Sequence, residues 1–249
     1  MVRIMDSKEP SMDKPLTPAV THDTFSRAFF WGVPFTVPII VAGLTSLFYP
    51  VCPPRMIWLP LILVYWATIW TYTVIYRMKR GGVFTEERFK LTLKLQGKHL
   101  PLQYLLIYGP LVYAIPLFII NFSAKLSAAM YAAIILASLI NGFSEEVYWR
   151  ACLDDAGKNA GVPERKRLAF APVAFALWHT AFVIHFYPWN RTWWAAWAGI
   201  MAMTWVSGLV WLWVMHRSGR LVPQCVYHAS ANFLNVFPML LINVLHVSF

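Results

Sequence analysis

Seven runs of about 20 predominantly apolar residues divide the chain, at roughly 28–49, 56–76, 100–121, 126–150, 168–187, 192–215 and 221–244. A run of that length, wound as a helix, crosses a hydrocarbon layer of about 30 Å. Inside lipid the backbone must satisfy its own hydrogen bonds, so such runs are expected as helices. Composition agrees: 59% of the 249 residues are hydrophobic and 13% are charged, against about half and a quarter in a soluble domain. The expected fold class is therefore an all-α membrane protein, a polytopic bundle of about seven transmembrane helices. Pro34, Pro38, Pro110, Pro116 and Pro172 fall inside these runs, where neighbouring helices can satisfy the freed carbonyls.

Charge sets the expected orientation. Residues Arg3, Lys8, Lys14, Arg27, Arg77, Lys79, Arg80, Arg88, Lys90, Lys94, Lys98, Lys158, Arg165, Lys166, Arg167, Arg217 and Arg220 all fall on one side if the connections alternate. Only Arg55, Lys125 and Arg191 fall on the other. The positive-inside rule then places the N-terminus in the cytosol and the C-terminus outside. The same pattern accounts for the net charge of +10 without nucleic acid, because the cations flank apolar spans and face anionic lipid. Residues 1–26 are polar and read as a disordered cytosolic tail, and 27–249 as one membrane-embedded domain. The longest connection, 77–99, includes FKLTLKLQ, whose alternation would suit a strand in water; beside a membrane it is expected in the interface, with Lys90, Lys94 and Lys98 toward headgroups. Tyr187, Trp189, Trp193, Trp194 and Trp197 form an expected aromatic belt at the outer ends of spans five and six. His185 and His246 read as interfacial. Cys52, Cys152 and Cys225 make no disulfide framework or cysteine zinc motif.

The informative residues are ionisable ones inside spans, where a charge costs roughly 2.5–3.5 kcal/mol on insertion scales and marks a functional candidate. Span four ends in NGFSEEVYWRACLDD. Glu146 and Arg150 stand at i and i+4, with the acid first, and can pair along one helix face. Glu145 is turned about 100° away and has no partner in its own helix, which suits a general base or a metal ligand. Span five places Phe175 one turn before His179, and span seven places His228 and Asn232 on one face. At about 1.5 Å per residue, Glu145, His228 and His179 fall ~8, ~10 and ~16 Å from the inner ends of their spans. Each has a plainer reading alone. A lone membrane histidine is usually a hydrogen-bond partner, Phe175 is usually packing, Arg150 can snorkel, and Glu86–Glu87 is ordinary surface. Their joint convergence on one half of the bilayer is harder to explain that way.

These motifs resemble the CAAX protease and bacteriocin-processing (CPBP) family of intramembrane proteases, which includes the type II CAAX prenyl endopeptidases. The family pattern is EExxxR, FxxxH and HxxxN or HxxxD on separate helices; here it reads Glu145-Glu146 through Arg150, Phe175 through His179, and His228 through Asn232. The resemblance covers about 125–244, and the first three spans carry no motif. It implies an intramembrane endopeptidase acting on a membrane-associated protein or peptide near the cytosolic face. Glu145 with His179 would activate water, His228 with Asn232 would stabilise the oxyanion, and Glu146 with Arg150 would orient the helix end. Zn2+ held by Glu145, His179 and His228 is compatible with the donor set, although no HExxH is present. Short loops suggest a prokaryotic cytoplasmic membrane. Two rivals keep the same residues: a non-proteolytic immunity or scaffold protein, and a proton-coupled transporter, for which the expected inverted repeat is missing.

Overall fold

The computed structural model describes residues 23–53, 56–80, 86–186, 192–238 and 240–241. It is built from helices α1 (Thr24–Ser46), α2 (Trp58–Arg80), α3 (Glu86–Phe89), α4 (Leu100–Asn121), α5 (Ala128–Glu145), α6 (Leu153–Asn159), α7 (Glu164–Phe186), α8 (Trp193–Ser218) and α9 (Val222–Ala231). Among the described residues, six stretches are long and apolar enough to cross a membrane. The seventh expected span is helical at every described position from 222 to 241, and 242–244 lie outside the described residues. The chain is an all-helical, multi-pass integral membrane protein.

Two boundaries differ from the expectation. Helix α1 begins at Thr24, inside the polar segment assigned to the tail, because Asp23 caps it by accepting from the amides of Phe25 (3.1 Å) and Ser26 (3.2 Å). An N-cap of this kind satisfies donors that the first turn leaves orphaned. Arg80 at the end of α2 pairs with the same Asp23, joining the ends of the first two spans; the rest of the tail, 1–22, lies outside the described residues. Span four does not stop near residue 150. It runs unbroken over Ala128–Asn159 as α5, a π-helical stretch at Glu146–Cys152, and α6. Glu145 thus sits mid-helix, about 14 Å in rise before Asp154, rather than at a solvated end.

The FKLTLKLQ segment agrees with its reading as a surface-lying stretch rather than a strand. Among the described residues there is no β-strand. The segment after α3 is irregular and is pinned to α4 by side chains instead: Gln103 donates to the carbonyls of Gln96 (3.1 Å) and Lys98 (2.7 Å), and Tyr108 donates to that of Leu93 (3.1 Å). Its lysines 90, 94 and 98 are exposed while Leu95 is buried, which fits a surface-lying segment. At the opposite end, Tyr49 meets His185. Trp194 is exposed there, but Trp193 is buried, so it packs rather than joining the belt; Tyr187, Trp189 and His246 lie outside the described residues.

The main core gathers Phe29, Phe30, Tyr65, Tyr148, Trp149, Phe175 and Trp178. Helix α1 packs on α2, α6 and α7, α7 on α8, and α5 on α9. Helix α4 lies to one side, against α9 and the turn that follows it. The π stretch passes through the middle of this core, with all seven of its residues buried.

Candidate active site

Close approach of two helices creates the site. A Cβ on Gly142 of α5 would stand 2.6 Å from the backbone nitrogen of Ala229 on α9, so only glycine lets these backbones meet. One turn further along α5, Glu145 and Glu146 confront His228, the neighbour of Ala229. Adjacent helical side chains diverge by about 100°, and that divergence lets the two carboxylates straddle one imidazole. His228 Nδ1 lies 2.9 Å from Glu146 Oε1, and Nε2 lies 3.2 Å from Glu145 Oε2. Glu145 is 2% exposed, Glu146 0% and His228 6%. Replacing Gly142 by alanine is expected to push α5 from α9, lowering stability by about 1–3 kcal/mol and any catalytic rate by about 100-fold, the order expected for a 1 Å misplacement. Thermal unfolding and a cleavage assay on the purified variant check both; wild-type values for each would remove the close approach from the account.

Arg150 completes the charge balance. Its Nε lies 3.3 Å from Glu146 Oε2, the i,i+4 pairing that the sequence suggests. The side chain does not snorkel: Arg150 is 1% exposed, and its guanidinium lies 4.0 Å from the Phe175 ring centre and 4.8 Å from that of Trp211. Desolvated contacts of this type are worth about 2 kcal/mol or more. Phe175 is therefore more than packing, since it caps the cation that holds Glu146.

His179 and Asn232 border this cluster without sharing its ion pairs. His179 donates from Nδ1 to the Phe175 carbonyl at 3.1 Å, which leaves the Nε2 lone pair free. The structure thus pairs Glu145 with His228 rather than with His179. The physical reason is that α5 packs directly on α9. Asn232, one turn beyond His228, has a buried Nδ2 with no hydrogen-bond partner. It stands where α9 gives way to a second π stretch, Asn232–Val236. Two of the three motif-bearing helices therefore widen at a motif residue, a deviation that concentrates at functional sites.

Sequence reasoning missed the contribution of span two. Tyr65 is fully buried, stacks on Trp178 at 3.7 Å between ring centres, and lies beside Glu145. The Trp149 indole donates to its hydroxyl oxygen at 2.8 Å, which fixes the phenol in place. Trp66 donates to Asn141 (2.7 Å) and Trp70 to Ser144 (2.8 Å), fixing α2 along the face of α5 that leads to Glu145. The available signal was the YWATIW stretch: polar-tipped aromatics in mid-span need partners, and α5 offers Asn141, Ser144 and Glu145.

For zinc, the three candidate donors do not form a ready set. Among the described residues no group of three or more His, Cys, Asp or Glu side chains is arranged to hold a metal ion, and both nitrogens of His228 already face carboxylates. This arrangement does not fit a three-ligand zinc site.

The fold and this cluster define a class: a multi-pass helical membrane protein with a buried carboxylate–imidazole centre. Residues 127–234 match the family described as Type II CAAX prenyl endopeptidase Rce1-like, so this part of the chain is similar to the CAAX proteases. The matched segment includes Glu145, Glu146, Arg150, Phe175, His179, His228 and Asn232. No curated protein and no solved structure matches the chain.

Proposed function

We propose that this protein is an intramembrane endopeptidase that cleaves a membrane-associated protein or peptide, with Glu145 as the general base. The observation that carries the reading is the His228 ring held between Glu145 and Glu146, next to the unpartnered amide of Asn232. Glu145 takes a proton from water and later returns it to the leaving amine, as a positioned carboxylate can. His179, with its Nε2 lone pair free, orients that water. The amide of Asn232 donates to the oxyanion as the carbonyl becomes tetrahedral, and His228 balances the charge beside it. Glu146 and Arg150 hold His228, and Tyr65 stands beside Glu145. The basic loops support a cytosolic N-terminus and a cytosolic 77–99 loop, and the short loops support a prokaryotic cytoplasmic membrane.

Asn232→Ala is expected to lower the cleavage rate by about 100- to 1000-fold, the effect of removing one oxyanion donor, while thermal stability stays near wild type because no bond is broken. Purified protein in liposomes, supplied with membrane-tethered peptides, gives both readouts. The same preparation treated with a zinc chelator is expected to keep its activity. Loss of turnover on chelation, restored by zinc, would replace the carboxylate route with a metal-bound water held by Glu145, His179 and His228.

A further inference from the structure

A second, wholly separate cavity of about 320 Å³ opens at the basic end of the bundle, lined by Arg88, Asp154, Lys158, Glu164, Arg167, Met215, His216, Arg217 and Gly219. Four elements meet there: α3, the end of α6, the start of α7 and the end of α8. Its two acids are engaged internally. Buried Asp154 accepts from Arg167 Nε at 2.8 Å and lies 2.9 Å from His216 Nε2, while Glu164 lies 3.5 Å from His216 Nδ1. Arg88 is tied to Asp155 at 2.6 Å and passes its carbonyl to the Leu221 amide at 3.0 Å. This bracing fixes the walls. Lys158 and Arg217 stand exposed at the mouth, and neither is paired with a carboxylate among the described residues. The lining carries four permanent cations against two acids, at the level where a membrane presents its phosphates.

From this we infer that the cavity is a binding site for a phosphate-bearing anion, gripped by Lys158 and Arg217 above the Asp154–Arg167–His216 floor. The volume is within the range of small-ligand sites. Arginine and lysine donors lining one cavity suit a phosphate, which accepts from several at once. An anionic phospholipid headgroup and free phosphate share that chemistry. The site is independent of proteolysis and survives if the reading above fails.

The test uses full-length protein in a neutral detergent, titrated separately with phosphatidylglycerol, phosphatidylcholine and inorganic phosphate, with binding followed by the thermal unfolding midpoint. Phosphatidylglycerol is expected to bind saturably and to raise the midpoint, and phosphatidylcholine is not. In the Lys158→Ala/Arg217→Ala variant the apparent affinity is expected to fall by about 30-fold, roughly fivefold for each cation held near an anionic surface. Lys158→Arg/Arg217→Lys is expected to keep it. Lys90→Ala/Lys94→Ala, on the same basic face but outside the cavity, is the control and is expected to change it little. If inorganic phosphate gives the same stabilisation, lost in the same alanine pair, the site holds free phosphate. Equal loss in the control pair, or no loss in the cavity pair, would overturn the inference.

Discussion

Arg150→Met is expected to destabilise the protein by about 3–5 kcal/mol, because removing one partner of a buried ion pair strands the other. Arg150 is 1% and Glu146 0% exposed, so neither charge has water to fall back on. Methionine fills similar space between Phe175 and Trp211 but supplies neither the donor to Glu146 nor the cation over the two rings. Glu146→Gln is expected to cost a similar amount by stranding Arg150, and to loosen His228 as well. The Glu146→Gln/Arg150→Met double variant is expected to recover part of the loss, since residues in one network are non-additive. Unfolding midpoints in matched micelles supply the cycle. Single-variant losses below about 1 kcal/mol, adding in the double, would show that the pair is not the brace described above.

Glu145→Gln is expected to behave in the opposite way. Its carboxylate carries no arginine, and a glutamine of the same shape can still accept from His228 Nε2. Stability is therefore expected to stay within about 1 kcal/mol of wild type, the worth of one net hydrogen bond, while base catalysis disappears. The two glutamates, adjacent in sequence, separate into one that holds the site and one that works in it.

Much of this was legible in the sequence for a physical reason: a membrane leaves few ways to hide polarity. Runs of 20 apolar residues had to be helices, and the six ionisable or amide-bearing motif positions within them marked where polarity had to be accommodated. Glu146–Arg150 followed from helical spacing alone. The partner of Glu145 did not, because spacing says nothing of which span lies beside which. His228 is the answer only because Gly142 admits α9 against α5. The extent of span four was misjudged for a related reason. Arg150, Asp154 and Asp155 look like an exit into water, but Arg150 is buried against Glu146, Phe175 and Trp211, Asp154 is buried against Arg167 and His216, and half-buried Asp155 pairs with Arg88. Tyr65 left no pattern to read, since a tyrosine in an aromatic-rich span resembles packing until its hydroxyl is seen between Trp149 and Glu145.

The two π stretches were equally invisible to periodicity. Their effect is local. The Leu153 amide bonds back to the Tyr148 carbonyl, and the Phe237 amide to the Asn232 carbonyl, so each helix carries one wide turn beside a motif residue. That turn keeps Arg150 under Glu146 while the helix continues to Asn159, and it brings Asn232 to the edge of the site with its amide unspent.

The central claim is that Glu145 is the base of an intramembrane endopeptidase. Wild-type protein and Glu145→Gln, each purified and reconstituted in liposomes with a library of membrane-tethered peptides, are compared by mass spectrometry of the released fragments. Wild-type protein is expected to cut a subset of the peptides near the membrane surface, and Glu145→Gln to cut them about 100- to 10,000-fold more slowly, the range attributed to a positioned general base, at unchanged thermal stability. Equal cleavage by both proteins would contradict the account, and cleavage by neither, with the biological phenotype intact in Glu145→Gln, would identify a non-proteolytic immunity or scaffold protein.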